Sequence, residues 1–264
     1  MDLEIKDHVI IVTGGSKGIG EGICRALVQE EAIPIIVGRS PDEGNSLVET
    51  FKKSGINASY IFAELSNLEN CKLAVEKVVM TYGRINGLVN NAGVNDGVGL
   101  EKGSPEDFVK SMDYNLHHYY YMAHLCLPWL KKFHGSIVNV SSKTALTGQG
   151  GTSAYAAAKG AQLALTREWA VELLKYNIRV NAVVPAEVMT PLYKKWLGGF
   201  SNSDEKLEEI TNRIPLGNRM TTKEEMASMV AYLLSGQASH ITGQFLFVDG
   251  GYVHLDRALA GTDL

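Results

Sequence analysis

Tyr155-Ala156-Ala157-Ala158-Lys159 sets a phenol and an ammonium four residues apart. On a helix, side chains at that spacing share one face. A free tyrosine titrates near ~10, too high for a base at neutral pH. A neighbouring cation favours the phenolate and lowers that value. The spacing thus predicts a general acid/base, Tyr155, tuned by Lys159. Ser142 stands upstream, across Gly148, Gln149, Gly150 and Gly151, and offers a hydroxyl to hold a substrate oxygen near the phenol. Taken alone, Tyr-x-x-x-Lys also fits an ordinary alanine-rich helix, so the surrounding elements must decide.

Those elements begin with residues 8–12, an apolar β-branched run that reads as a buried parallel strand. Thr13-Gly14-Gly15-Ser16-Lys17-Gly18-Ile19-Gly20 follows at once, and Ile23, Ala26, Leu27 and Val28 continue at helical spacing. Strand, glycine-rich turn and helix in succession form a dinucleotide-phosphate site. Gly14 permits the turn, Gly18 and Gly20 admit close backbone approach, and the helix N-terminus faces the phosphates. Residues 34–37 are the second strand. Gly38 stands where an NAD site places an acid for the ribose diol. Arg39 and Lys17 are read either as partners of a 2′-phosphate or as solvated cations, and the missing acid favours the first. NADP is therefore the preferred cofactor, with NAD possible.

Further strands are expected at residues 59–62, from 87, at 135–140, at 177–184 and at 244–248, with helical spacing over 45–54 and 68–82. Glu64, at the end of the third strand, is either a contact to the adenine edge or a plain strand-end carboxylate. Asn90 and Asn91 tie neighbouring strands, clear space for a ribose, or do both. Ser104-Pro105 starts a helix running to Phe133 with Asn115 inside it. Residues 186–220 form an excursion beyond a strand end and are expected to act as a substrate lid. Thr222 and Glu225 make a capping box for the next helix. No linker or repeat breaks the chain, which predicts one domain over residues 1–264. The fold class is α/β: a Rossmann-type, doubly wound, seven-stranded parallel sheet with helices on both faces.

Composition narrows the partners. The 264 residues suffice for such a domain, and a net charge of −4 argues against a nucleic-acid surface. Cys24, Cys71 and Cys126 sit in apolar, helix-like settings and read as reduced core thiols. His117, His118 and His124 lack the spacing of a metal site. There is no signal peptide and no membrane-spanning run, so a soluble, cytoplasmic protein without membrane partners is expected.

Together Thr13–Gly20, Asn90-Asn91-Ala92-Gly93, Asn115, Ser142, Tyr155 and Lys159, with thirteen residues from Ser142 to Tyr155, resemble the short-chain dehydrogenase/reductase family over the whole chain. Ala186 departs from the pattern, since a glycine commonly follows the Pro185 position. More narrowly, residues 90–100, 141–171, 185–193 and 247–259 look like the bacterial sugar dehydrogenases of this family that act on L-fucose and related aldoses. The resemblance implies catalysis by Asn115, Ser142, Tyr155 and Lys159. Tyr155 is then the base in oxidation, Ser142 holds the reacting oxygen, and Asn115 positions water for proton relay. Lys159 lowers the phenol and holds the nicotinamide ribose. The dinucleotide would lie on Gly14, Ser16, Lys17, Gly18, Ile19 and Gly20. Arg39, Glu64 and Leu65 would meet its adenosine end, and Asn91, Ala92 and Gly93 its middle. Tyr155, Lys159, Pro185, Val188 and Thr190 would meet its nicotinamide end. Asn95, Asp96, Gln149 and Glu187, with Ser142 and Tyr155, would meet the sugar. A homotetramer is implied, built through the helices after Pro105 and Ser153 and the last strand. The rivals are a carbonyl reductase of the 3-oxoacyl or gluconate type and, outside enzymes, a dinucleotide-sensing interaction protein.

Overall fold

The structure is a computed structural model that describes residues 2–255. The chain's end, including residues 256–259 of the sugar-dehydrogenase likeness, lies outside them. The apolar runs form β1 (Val9–Thr13), β2 (Ile33–Gly38), β3 (Ser59–Phe62), β4 (Gly87–Asn90), β5 (Ser136–Val140), β6 (Arg179–Pro185) and β7 (Phe245–Val248). They pair in the order β3-β2-β1-β4-β5-β6-β7, every neighbour parallel. β1, β4 and β5 are buried at every residue, as strands covered on both faces must be.

Helices supply the covers. On one face lie α1 (Gly18–Gln29), α2 (Pro41–Lys53) and α9 (Lys223–Leu234), through Ile23, Leu27, Leu47, Phe51, Met226 and Val230. On the other lie α3 (Leu68–Tyr82), α5 (His118–Phe133) and α6 (Ser153–Leu173), through Val75, Val78, Tyr119, Met122, Trp169 and Leu173. A Cβ at Gly22 would stand 2.7 Å from the Lys223 carbonyl oxygen, so glycine sets how closely α1 approaches α9.

Several boundaries differ from the sequence expectation. α2 begins at Pro41 rather than near residue 45, because Ser40 precedes a proline at the first helical position and acids follow. β6 begins at Arg179, because Asn177 turns the chain at φ 54°. The long helix expected from Pro105 to Phe133 is broken. α4 (Pro105–Met112) passes into a π-helical turn, Asp113–His117, before α5 resumes the α-helical pitch. Asn115 sits inside that wider turn, and such turns often mark functional positions. The excursion after β6 holds two short helices, α7 (Pro191–Leu197) and α8 (Ser203–Thr211). The capping box on α9 forms as its sequence predicts, with Thr222 and Glu225 each bonding the other's backbone N–H.

Candidate active site

Strand order reverses between β1 and β4, so a crevice opens beyond their carboxyl ends. The β1–α1 turn lines it, with Gly14 at φ 64° and Gly18 at φ 56°, where other residues are strained. A Cβ at Gly20 would stand 2.3 Å from the Gly14 carbonyl oxygen. The α1 N-terminus has no side-chain cap, which leaves its first N–H groups to meet an anion. These features fit a dinucleotide pyrophosphate. Asn91 holds the turn from the β4 side, its side-chain amide donating to the carbonyls of Thr13 (2.9 Å) and Gly14 (3.3 Å). Thr13 Oγ1 accepts in return from the backbone N–H groups of Asn91 and Ala92. Asn90 faces the sheet interior and donates to Asn139, so the two amides divide the strand-tying work. Gly18 lies against Thr190, which brings the start of α7 onto the glycine turn. Ser16 and Ile19 stand half-buried in that turn, and Leu65 and Val188 are buried beside β3 and β6.

The two cations at the adenosine end are engaged. Lys17 pairs with Glu43, and Arg39 reaches Glu64 at 3.4 Å, all four side chains being substantially exposed. Glu64 also accepts from Ser66.

At the other end, α6 carries Tyr155 and Lys159 to the ends of β4 and β5. Lys159 Nζ lies 5.5 Å from the Tyr155 ring centre. The lysine is buried and donates to Val140 O (2.8 Å), Gln162 Oε1 (3.2 Å) and Tyr119 Oη (3.4 Å). Gln162 in turn donates to the Asn115 carbonyl at 2.6 Å, and the Asn115 side chain accepts from the Val94 N–H at 2.7 Å. A Cβ at Gly93 would stand 3.0 Å from Asn115 Oδ1 and 3.7 Å from Lys159 Nζ, so glycine keeps this corner open. Ser142 Oγ accepts from Thr144 and stands close enough to Tyr155 to draw the phenol's pKa down.

Electrostatically the site departs from the sequence reading. Lys159 was expected to lower the phenol. Instead burial pushes Tyr155 up to about 12, with the Asp96 charge adding to the rise, and pushes Lys159 down to about 7. Desolvation of both groups outweighs their spacing, so at neutral pH the phenol is protonated and the lysine titrates.

The residues expected at the sugar divide. Asn95, Asp96 and Gln149 are exposed, and Asn95 accepts from the Gly97 N–H. Glu187 is not free: it forms an ion pair with Lys143, and its charge adds to the burial that raises the Tyr193 phenol. Sequence reasoning missed Lys143, Gln162 and Tyr119. Only Lys143 carried a signal, its place next to Ser142. The thiols of Cys24, Cys71 and Cys126 are buried and not in disulfides, and that of Cys71 donates to the Leu65 carbonyl. Among the described residues no group of His, Cys, Asp and Glu could hold a metal ion, and no helix is long and apolar enough to cross a membrane.

A doubly wound sheet with a phosphate-binding glycine turn and a Ser–Tyr–Lys cluster at its carboxyl edge defines a dinucleotide-dependent oxidoreductase. A family model described as Enoyl-(Acyl carrier protein) reductase matches residues 14–253. The 3-oxoacyl-[acyl-carrier-protein] reductase FabG of Thermotoga maritima is 34% identical over 95% of this chain and 100% of its own. The L-fucose dehydrogenase of Bos taurus is 32% identical over 92% of this chain and 88% of its own. The crystal structure of Cj0485 dehydrogenase superposes with a TM-score of 0.94 at 52% identity, covering 98% of this chain and 99% of that one. The aldohexose dehydrogenase of Thermoplasma acidophilum superposes at 0.86 with 32% identity, covering 96% of each chain. The chain belongs to the short-chain dehydrogenase/reductase family and is an NAD(P)-dependent oxidoreductase acting on CH–OH or carbonyl groups.

Proposed function

We propose that the protein oxidises the anomeric hydroxyl of an aldose such as L-fucose to the lactone, with NADP preferred over NAD. The observation that carries this reading is Glu187, a carboxylate only 12% exposed at the carboxyl end of β6, on the same sheet edge as Ser142 and Tyr155. A hidden charge there suits a hydroxyl-rich substrate, whose polar groups need partners on leaving water. The aldose-oxidising relatives support the same choice.

When bound, the nicotinamide dinucleotide supplies the hydride acceptor. Ser142 holds the reacting oxygen, and Tyr155 takes the hydroxyl proton as the carbon–hydrogen bond breaks. Lys159 stabilises the phenolate. Asn115, whose carbonyl is held by Gln162, positions water on the route by which the proton leaves. Arg39 and Lys17 favour the 2′-phosphate, but Glu64 and Glu43 compete for them, which keeps the NADP preference modest. Residues 186–220 serve as the lid over a single domain. A homotetramer is supported by exposed Phe108, Val109, Tyr120, Val171 and Leu174 on α4, α5 and α6 and at the end of α6.

The test is a panel of aldoses, 3-oxoacyl thioesters and ketones with each cofactor, read as nicotinamide absorbance. Aldose oxidation should dominate. In Tyr155→Phe, turnover should fall at least about 100-fold with dinucleotide binding kept. Faster reduction of a 3-oxoacyl thioester would favour the reductase reading that the FabG relative supports.

A further inference from the structure

Lys143 directly follows Ser142 at the end of β5, and Glu187 lies two residues past Pro185 at the end of β6. These strands are neighbours, with Val140 opposite Val183, so their ion pair bridges two adjacent strand ends next to Ser142. It is the most buried ion pair among the described residues, at 9% and 12% exposed, where every other such pair has both partners above 20%. Burying opposite charges gains little stability over an apolar pair of the same volume. Stability alone therefore does not account for it.

The surroundings leave part of its bonding capacity free. Lys143 Nζ gives one proton to Glu187 and lies 4.0 Å from the centre of the Tyr252 ring, whose face attracts a cation. An ammonium has three donors, so one remains. The Glu187 carboxylate accepts from Lys143 and has the Tyr193 phenol near it. Burial, reinforced by the Glu187 charge, holds that phenol protonated as a donor. Even with that phenol as a second donor, about two of the carboxylate's roughly four acceptor positions remain. A free donor beside free acceptors matches two neighbouring sugar hydroxyls, one accepting and one donating. The pair is neutral overall, so a substrate carboxylate would have to displace Glu187 from Lys143 and would face its charge.

We propose that Lys143 and Glu187 together read a pair of adjacent hydroxyls on a neutral aldose, which makes Lys143 a specificity-determining residue. This rests on the aldose reading above. Tyr252 and Tyr193 keep each charge in place while the pair shares its bonds with substrate.

The experiment compares the wild type with Lys143→Met/Glu187→Leu, which leaves no orphaned buried charge. Each is assayed on an aldose, its monodeoxy analogues and the matching hexuronate, with Tm and NADPH affinity as checks on folding. In the wild type, one deoxygenation should cost about 10- to 100-fold in kcat/KM. In the double variant the parent aldose should fall by a similar factor, and the same deoxygenation should cost less than about 3-fold. The hexuronate should be at least about 10-fold poorer than the hexose in the wild type. Equal deoxy penalties in both proteins at every position overturn the inference while leaving the aldose reading intact. So does a hexuronate turned over as fast as its hexose. A wild type that oxidises no aldose removes the underlying reading, and this inference with it.

Discussion

Replacing Lys159 by Met takes away a buried ammonium 5.5 Å from the centre of the Tyr155 ring. At an effective dielectric of about 20, that charge favours a phenolate by about 3 kcal/mol, or about a hundredfold in its population. Burial sets the starting points, the phenol up to about 12 and the lysine down to about 7. Below about pH 7 the lysine is charged in the wild type, and phenolate grows about tenfold per pH unit in both proteins. The variant should there run about 100-fold slower in the oxidation direction. Above about 7 the wild-type lysine gives up its proton, and the phenolate–ammonium form stops growing. The Met variant has no such limit and keeps climbing. Its deficit should shrink about tenfold per pH unit and close roughly two units higher. The assay is kcat for aldose oxidation at saturating dinucleotide, from about pH 5.5 to about 9.5, followed by nicotinamide absorbance. A ratio of wild type to variant that stays constant across that range would refute the reasoning. Lys159 would then act by holding neighbouring groups and not through its charge.

Other expectations follow from the same geometry. Arg39→Ala should lower the NADP-over-NAD preference in kcat/KM by about tenfold, a single charge-assisted contact. Glu64→Gln, which releases Arg39, should raise it, and steady-state kinetics with both cofactors would show the two shifts in opposite directions. Gly20→Ala should destabilise the fold and abolish dinucleotide binding, because its Cβ would meet the Gly14 carbonyl at 2.3 Å and the Asn91 amide at 2.7 Å. An unchanged Tm with unchanged NADPH affinity would contradict that. Glu225 is held down to about 2 by Arg219 and the Thr222 N–H, from an ordinary value of 4.5. A depressed carboxylate gives stability that is present above its unfolded value and lost as pH falls through its folded value. Wild-type Tm should therefore drop between about 4.5 and about 2, and Glu225→Gln should flatten that window. Thr222→Ala should cost about 1 kcal/mol at neutral pH by removing the cap.

What could be read from the chain was whatever rests on local pattern. The strands declared themselves as apolar runs, the glycine turn by its place between strand and helix, and Tyr155 with Lys159 by helical spacing. Ser104 and Thr222 marked their helices because capping needs only the next few residues. What escaped depends on partners distant in the chain. Gln162 reaches the Asn115 carbonyl across 47 residues, and Lys143 finds Glu187 across 44. No periodicity links such pairs. The phenol's rise also escaped, because desolvation is a property of packing and not of spacing. The π-helical turn left no trace in residue type either, since Asp113–His117 suits an ordinary helix in composition.

That turn makes chain length a hidden variable of the site. A wide turn accommodates one residue beyond the ordinary helical count. Deleting a single position within Asp113–His117 would let the helix regularise with its flanks still in phase, whereas a deletion in α4 or α5 rotates everything downstream by about 100° around its axis. After a deletion in α4, Tyr119 would swing off the Val140 carbonyl it now donates to, and the Asn115 carbonyl would leave Gln162. Exchanging side chains one at a time preserves the length and so never samples this displacement. A collection of single-residue deletions along residues 105–133 would, with the helix phase kept only by those within Asp113–His117.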